Sequence, residues 1–208
     1  MVTRKVLQMA GHQRRIWKEK GFIVPGRIQI KLAVNVSARD LDDSRFANDL
    51  LLLLEEEGVS PSDFELELTE TGLMRDPEEA INMLHYLKEK GFALAIDDFG
   101  TGHSSLNYLK DIDADLLKID MSFVRNLDCD QANRAIVQTI IATAHIFGMK
   151  TLAEGIENKA IVNELKRIGC DYGQGYCFAH PLTANEFEQR RISAASATAW
   201  LCCSESGP

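Results

Sequence analysis

The feature that most constrains the fold is a repeated alternation between short apolar runs and longer amphipathic runs. The short runs are rich in β-branched and aromatic residues, as strands are, and the longer runs place apolar residues on one helical face. A regular alternation of this kind is typical of a parallel sheet whose crossover connections are helices. We therefore predict an α/β fold with six strands: Ile28 to Val36, Phe64 to Leu68, Phe92 to Ile96, Leu116 to Ile119, Lys150 to Ala153, and Tyr172 through Phe178.

The predicted helices carry recognisable start and stop signals. Asp76 can cap a helix that starts at Pro77 and ends before Gly91, and a Thr-x-x-Glu capping box opens the last helix at Thr183. Two further helices are predicted at Val6 to Glu19 and Arg45 to Glu57. The run from Gln131 to Phe147 is also predicted to be helical, and its core-facing stripe should consist of Ile136, Ile140, Ile141 and Ala144.

Length, charge and cysteine content narrow the possible functions. A chain of 208 residues can bury one sizeable core, and we expect one domain over residues 1–192 and a weakly ordered tail over 193–208. The net charge of −8 argues against nucleic-acid binding through a broad basic surface. No apolar run approaches the roughly 18 residues that a membrane span needs, so we expect a cytoplasmic chain without a membrane segment. The five cysteines include no Cys-x-x-Cys pair, which predicts reduced thiols.

Polar residues follow or end every predicted strand. In parallel α/β folds these carboxyl ends gather at one edge of the sheet, and ligands bind there. One acidic residue at such a position is usually a turn or cap residue, but several converging carboxylates repel one another and are stabilised by a bound cation. Oxygen ligands without His or Cys favour hard ions such as Mg²⁺, Mn²⁺ or Ca²⁺. The residues are Asn35, Glu67 with Glu70, Asp97 with Asp98, Lys118 with Asp120, Glu154 with Glu157, and Gln174.

The segment Asp-Asp-Phe-Gly-Thr-Gly, residues 97–102, is the most informative of these motifs. Its two aspartates can bridge two metal ions, and its glycines allow the loop to lie close over a ligand. It does not indicate a protein kinase, because neither a Gly-rich nucleotide loop nor a His-Arg-Asp catalytic loop accompanies it. Lys118 is either a point charge for a phosphate or an orienter of water, or a structural ion-pair partner of Asp97 or Asp98.

Taken together, these motifs resemble those of the EAL-domain cyclic-di-GMP phosphodiesterases, over a stretch from about Val6 to Phe187. The resembling residues are Asn35-Val36-Ser37, Glu67-Leu68-Thr69-Glu70, Asp97 through Gly102, Lys118-Ile119-Asp120 with Ser122-Phe123-Val124, Ala153-Glu154-Gly155 and Gln174-Gly175-Tyr176. The resemblance implies a TIM-like (β/α) barrel. It also implies hydrolysis of cyclic di-GMP to the linear dinucleotide, a two-metal site that holds Mg²⁺ or Mn²⁺, and a role in bacterial signalling.

The resemblance further implies a role for each residue of the site. The metal ligands would be Asn35, Glu67, Asp97 and Glu154, with Asp98 completing the site. The catalytic residues would be Lys118 and Gln174, which position the attacking water, and Glu70, which holds the 97–102 loop in place.

Two departures from the family pattern bear on activity. The name-giving Glu-Ala-Leu motif and the arginine that follows it are absent from the 208 residues; in the family, that glutamate binds metal and that arginine contacts the substrate phosphate. His103 stands where the family more often has an aromatic residue or Asn, and a loop-surface histidine is its simplest interpretation. With one metal ligand and one phosphate-binding arginine missing, we expect weak or no hydrolysis by this chain alone.

The strand count leads to a related expectation about assembly. A closed barrel of this kind needs eight strands, so six strands make an incomplete barrel whose first strands are missing. An unpaired edge and an exposed apolar interior would favour a homo-oligomer. Two alternatives to the enzyme stay open: a non-catalytic module that binds cyclic di-GMP or another protein, and a structural fragment that folds only as an oligomer.

Overall fold

The computed structural model describes residues 2–22, 30–73, 76–101 and 106–193. The chain divides into two compact units. The first comprises Met1–Asp97 and Gly102–Asp115, and the second comprises Asp98–Thr101 and Leu116–Pro208. The expectation of one domain over residues 1–192 stays a prediction, and residues 194–208 of the expected tail lie outside the described residues.

The first unit is built on three parallel strands that alternate with helices. The strands are β1 (Leu32–Val36), β2 (Phe64–Thr69) and β3 (Ala93–Phe99), of which the last two residues of β3 belong to the second unit. β1 pairs with β2, and β2 pairs with β3, in parallel register. The helices are α1 (Val2–Glu19), α2 (Ala38–Leu41), α3 (Phe46–Glu57), α4 (Glu70–Leu73), α5 (Pro77–Glu89) and α6 (Leu106–Leu109), with a 3₁₀ turn at Pro61–Asp63.

The second unit repeats the same alternation. Its strands are β4 (Leu116–Ile119), β5 (Lys150–Ala153) and β6 (Tyr172–Gly173), and the pairs β4 with β5 and β5 with β6 are both parallel. Its helices are α7 (Met121–Val124), α8 (Gln131–Ile146), α9 (Lys159–Arg167) and α10 (Ala184–Ser193). The described residues therefore contain six strands, as the sequence predicts.

The local start and stop signals hold where the structure describes them. The Asp76 side chain accepts a hydrogen bond from the backbone N–H of Glu79 at the start of α5. The capping box of α10 is complete: Thr183 donates to Glu186 from its backbone and its hydroxyl, and the backbone of Glu186 donates to the Thr183 hydroxyl. Gly58 ends α3 with φ +66°, a conformation that glycine adopts without the steric cost of a Cβ.

The core of the first unit follows from strand alternation. In β2, Phe64, Leu66 and Leu68 are buried, whereas Glu65 and Glu67 are partly exposed on the other face. Each fully buried large apolar side chain contributes about 1.5 to 3 kcal/mol relative to an exposed one. This burial fixes which face of β2 carries its carboxylates.

Three predictions about elements need correction. The strand predicted from Tyr172 through Phe178 has only two residues, because the chain turns at Gly175 and the backbone N–H of Cys177 bonds to Ile156 O. The first strand begins at Leu32 and not at Ile28, and residues 28 and 29 of its predicted start lie outside the described residues. On α8, Ile136 is 40% exposed, and Val137 takes its predicted place in the core.

No helix within the described part of the chain is both long enough and apolar enough to cross a membrane.

Candidate functional site

In the first unit, three of the predicted metal-binding residues share one face of the sheet. Asn35 of β1 and Glu67 of β2 are register partners, and Glu67 is in turn the partner of Ala95 in β3. Asp97 lies two residues beyond Ala95 and therefore points to the same side. Asn35 is exposed, Glu67 is partly exposed, and Asp97 is 9% exposed. The register thus places two carboxylates and one amide on the face opposite to Leu66 and Leu68.

Glu70 lies in the same unit, one residue after β2. It is the first residue of α4 and is buried. A buried glutamate needs hydrogen-bond or ion-pair partners to offset its desolvation, and Glu70 has such interactions. Its predicted contact with the 97–102 loop stays a prediction.

The backbone at Asp98 is unusual. Asp98 adopts φ +53°, in the left-handed region that L-residues rarely occupy. The backbone N–H of Thr101 and its hydroxyl both donate to Asp98 O, at 3.4 and 2.8 Å. Gly100 follows with φ +97°, and a Cβ there would lie 2.9 Å from Cε2 of Phe123. Strained residues of this kind cluster at functional sites, so the turn supports a functional role for Asp98.

The second unit brings Lys118, Glu154 and Asp98 together. Lys118 Nζ lies 2.9 Å from Glu154 Oε1. One carboxylate oxygen of Asp98 and one of Glu154 lie within 4.8 Å of each other. The backbone N–H of Glu154 donates to Ile119 O at 3.1 Å and extends the β4–β5 ladder by one residue. Lys118 therefore forms an ion pair with Glu154. The sequence interpretation considered only Asp97 and Asp98 as ion-pair partners of Lys118.

Gln174 is placed by main-chain hydrogen bonds. Its N–H donates to Ala153 O at 2.9 Å, and its carbonyl accepts from Ile156 N at 3.1 Å. A cleft of about 240 Å³ has both Glu154 and Gln174 in its lining, together with Arg125 and Glu157. The loops that follow β5 and β6 are thus joined by their backbones, and they present a carboxylate and an amide to one space.

Gly175 and Gly155 allow this close approach. A Cβ on Gly175 would lie 2.3 Å from both N and O of Ile156, and a Cβ on Gly155 would lie 2.5 Å from Met121 Cβ. No real Cβ tolerates such distances without movement of the neighbouring chain. The glycines of the Ala-Glu-Gly and Gln-Gly-Tyr motifs therefore hold the three loops after β4, β5 and β6 in contact.

Two residues identified at strand ends have structural partners. The Asp120 side chain accepts from the backbone N–H of Ser122 and so caps α7. Glu157 lies 3.6 Å from Arg125 in an exposed ion pair. These contacts account for both residues without a bound ligand.

Two cations near the site were missed from sequence. Arg39 lines a cavity of about 890 Å³ in the first unit, together with Asn35, Thr69 and Thr71. Arg125 lines the cleft that contains Glu154 and Gln174. Each arginine follows a strand-end motif by four to seven residues, and that short spacing is the signal that could have identified them.

The donor set fits a hard divalent cation. The five predicted ligands offer carboxylate and amide oxygens and include neither His nor Cys. In the second unit, Asp98 and Glu154 are close enough to share one ion. Lys118 supplies one positive charge beside them, which offsets one of the two negative charges.

Comparison with known proteins gives a consistent result. The sequence matches the EAL domain family over residues 2–181. It is 36% identical over 183 residues to the cyclic di-GMP phosphodiesterase NbdA of Pseudomonas aeruginosa, a match that covers 88% of this chain and 22% of that protein. The chain spans between 22% and 27% of the length of the first curated relatives it matches.

Solved structures agree with the sequence match. The EAL domain of Mycobacterium smegmatis DcpA is 34% identical, with a TM-score of 0.85 over 92% of this chain and 84% of that one. The phosphodiesterase PaMucR, solved in complex with c-di-GMP, is 35% identical, with a TM-score of 0.82 over 89% of this chain and 73% of that one. The predicted α/β, TIM-like barrel fold is confirmed by these similarities.

Proposed function

The chain belongs to the EAL domain family, and from this premise we propose that it binds cyclic di-GMP and hydrolyses one of its phosphodiester bonds to give the linear dinucleotide. One observation carries the proposal most directly. Glu154 pairs with Lys118, lies within 4.8 Å of Asp98, and lines one cleft with Gln174. The names of NbdA and PaMucR support the choice of substrate.

The residues that would hold Mg²⁺ or Mn²⁺ are the carboxylates and the amide of the strand ends. A bound divalent ion of this kind supplies charge stabilisation to the phosphate and lowers the pKa of a coordinated water. Both ions take oxygen ligands, so the donor set supports either of them. The proposed ligands are Asn35, Glu67, Asp97, Asp98 and Glu154.

Lys118 and Gln174 would orient the attacking water. Lys118 carries three N–H donors on a compact positive charge, and its bond to Glu154 fixes the direction of the ammonium group. Gln174 has a side-chain amide that both donates and accepts, and its backbone is held on both sides by Ala153 and Ile156. A water held between an amide and an ammonium group is restricted in orientation, which favours in-line attack.

Glu70 would act by position and not by contact with substrate. It is buried at the start of α4, directly after the strand that carries Glu67. In this proposal it holds the loop that carries Asp97 and Asp98, as the family resemblance implies.

The proposal extends to activity, assembly and compartment. Because the 208 residues contain no Glu-Ala-Leu motif with its arginine, the turnover of this chain alone would be weak. The described residues form six strands, two fewer than a closed barrel of this kind has, which favours a homo-oligomer. Cys129 and Cys170 are free thiols, which supports a reducing compartment such as the bacterial cytoplasm.

The test is calorimetry followed by a turnover assay on the same sample. The 208-residue chain is titrated with Mg²⁺, Mn²⁺ and cyclic di-GMP, and the linear product is then measured by chromatography. We expect binding of metal and nucleotide, slow product formation, and loss of product with Glu154→Gln. Nucleotide binding without turnover would favour the non-catalytic module, and absence of both would favour the structural fragment.

A further inference from the structure

Two loops of the second unit that carry proposed metal ligands each contain a tightly enclosed glycine. Gly100 follows Asp98 by two residues, and Gly155 follows Glu154 directly. Both glycines have positive φ, +97° and +67° respectively. A Cβ would lie 2.9 Å from a side-chain atom at Gly100 and 2.5 Å from one at Gly155. A neighbouring side chain therefore packs directly against the backbone beside each carboxylate.

The element that packs against both glycines is α7, the single helical turn Met121–Val124. The atom nearest to the Cβ position of Gly100, outside its own chain neighbours, is Cε2 of Phe123. The nearest atom at Gly155 is Cβ of Met121. All of these residues belong to the second unit. One short helix thus contacts both of the loops that carry these carboxylates.

Helix α7 is itself fixed at the carboxyl end of β4. It begins two residues after that strand ends, and the Asp120 side chain caps its start. The backbone N–H of Phe123 donates to Asp120 O at 3.1 Å, and the side chain of Val124 is fully buried. Because Lys118 lies in β4, α7 has a fixed position relative to the ammonium group of the site.

The contact at Gly100 explains how the unusual turn beside it persists. Asp98 has φ +53°, and an L-residue keeps such a conformation only where the surrounding structure imposes it. The two hydrogen bonds from Thr101 to Asp98 O lie inside the turn, so they do not fix it relative to the other loops. The ring of Phe123 contacts the turn from outside, and Cδ1 of Ile140 lies 3.5 Å from the same Cβ position.

We propose that Phe123 is a positioning residue whose ring holds the turn at Asp98, so that the carboxylates of Asp98 and Glu154 stay close enough to share one divalent cation. At Gly155 the contacting atoms are Cα and Cβ of Met121, which any residue other than glycine supplies. The ring at position 123 is therefore the part of α7 whose side chain matters. The inference rests on the metal ligands of the proposed function and adds a residue that acts through the loop and not on the ion.

The expected effect falls on metal affinity. Substitution of a residue that orients a metal ligand typically weakens metal binding by about 10- to 100-fold. The orienting contact here is apolar packing and not a hydrogen bond, so we expect the lower end of that range, about tenfold, for Phe123→Ala. Phe123→Met keeps most of the side-chain volume and should stay within about threefold of the parent chain.

The first test is calorimetric titration of the 208-residue chain and its variants with Mn²⁺. The matched control is Val162→Ala, which truncates a buried side chain of α9 in the same unit and should leave the Mn²⁺ affinity unchanged. Circular dichroism establishes that each variant is folded, and Phe123→Leu replaces Phe123→Ala if the latter is not. Equal affinities for the parent chain and Phe123→Ala overturn the proposal, as does an equal loss in Val162→Ala.

The second test needs no metal and separates the inference from the proposed function. Amide hydrogen exchange of the metal-free chain is followed by NMR at Thr101, whose N–H donates to Asp98 O. Phe123→Ala should accelerate exchange of this amide by about tenfold or more, because the turn opens locally without the ring, whereas Val162→Ala should not. Unchanged exchange overturns the role of Phe123. Accelerated exchange together with a parent chain that binds no Mn²⁺ would overturn the proposed metal site but support the role of Phe123 in holding the turn.

Discussion

Lys118 Nζ lies 2.9 Å from Glu154 Oε1, and the two side chains are only 6% and 20% exposed. The pair joins the middle of β4 to the residue that follows β5. Because both groups are shielded from water, each depends on the other to offset its desolvation. The pair therefore links the stability of the second unit to the residues proposed for catalysis.

We expect Lys118→Met and Glu154→Gln each to lower the free energy of unfolding by about 1 to 3 kcal/mol, because each leaves one largely buried polar partner without its counter-charge. The double substitution should cost less than the sum of the two single costs. Urea denaturation of the parent chain, the two single variants and the double variant gives the four free energies of unfolding. Strict additivity would show that the two side chains do not stabilise each other.

Metal binding should depend on the strand-end carboxylates of the first unit. Glu67→Ala and Asp97→Ala should each abolish Mg²⁺ and Mn²⁺ binding, because a hard ion cannot replace its hydration shell with too few oxygen ligands. Calorimetry gives the readout, and Asp113→Ala removes an exposed carboxylate before β4 as the control. If either test variant bound metal as tightly as the parent chain, the proposed ligand set would be wrong.

Some glycines with positive φ have open space where a Cβ would lie, and others lie against a neighbouring side chain. Substitution by alanine should lower the free energy of unfolding by different amounts in these two cases. Gly169 has φ +88°, and a Cβ there would meet no atom of the described residues within 4 Å beyond its own chain neighbours. Gly169→Ala should therefore lower the free energy of unfolding only by the cost of a left-handed backbone for alanine, about 1 to 2 kcal/mol. Gly155 has φ +67° and would place its Cβ 2.5 Å from Met121 Cβ. Gly155→Ala should cost a further 1 to 3 kcal/mol or so from overpacking. Equal losses in chemical denaturation would contradict the close approach at Gly155.

Asp171 should make the second unit sensitive to acid. Burial works to raise the pKa of Asp171, but hydrogen bonds from Lys150, His145 and Thr151 outweigh it and hold that pKa well below its ordinary value of 3.8. The unfolded chain therefore takes up the proton first. The stability that this carboxylate contributes is complete above pH 3.8 and is lost as the pH falls below that value.

The corresponding variant is Asp171→Asn. It should lose about 1 to 3 kcal/mol of unfolding free energy at pH 7, because the new amide cannot accept all of these bonds. Its stability should also fall less steeply than that of the parent chain between roughly pH 5 and pH 2. Thermal melts across this range give both quantities, with Asp113→Asn as the exposed control. Parallel curves for parent and variant would refute the role assigned to Asp171.

The strands β1, β4 and β5 end where the sequence predicts, at Val36, Ile119 and Ala153, because polar residues follow their apolar runs. Asn35 and Glu67 prove to be register partners, as convergence at one edge requires. The inner face of α8 could not be predicted in the same way. Its outer face is also uncharged, so the pattern does not say which side is buried, and Ile136 was assigned to the wrong one.

The ion pairs at the amino ends of the strands could not be predicted from the sequence, and the reason is physical. An aspartate directly precedes each of β2, β4 and β6, and each of the three is paired with a cation: Asp63 with Arg14, Asp115 with Lys88, and Asp171 with Lys150. The partners are 27 or fewer residues away in two cases and 49 in the third, so no local motif marks them. The amino ends of barrel strands serve stability, and their ion pairs become visible only in the fold.

The main-chain hydrogen bonds around Gln174 determine which substitutions the fold tolerates nearby. The backbone N–H of Cys177 donates to Ile156 O, and that of Gln174 donates to Ala153 O. A side chain is irrelevant to these two bonds, but proline has no N–H to donate. In a library that samples every residue at position 177, selection for folded protein should therefore keep small polar and apolar residues alike and discard proline, so that the pattern of survivors records a backbone contact and not the chemistry of a thiol.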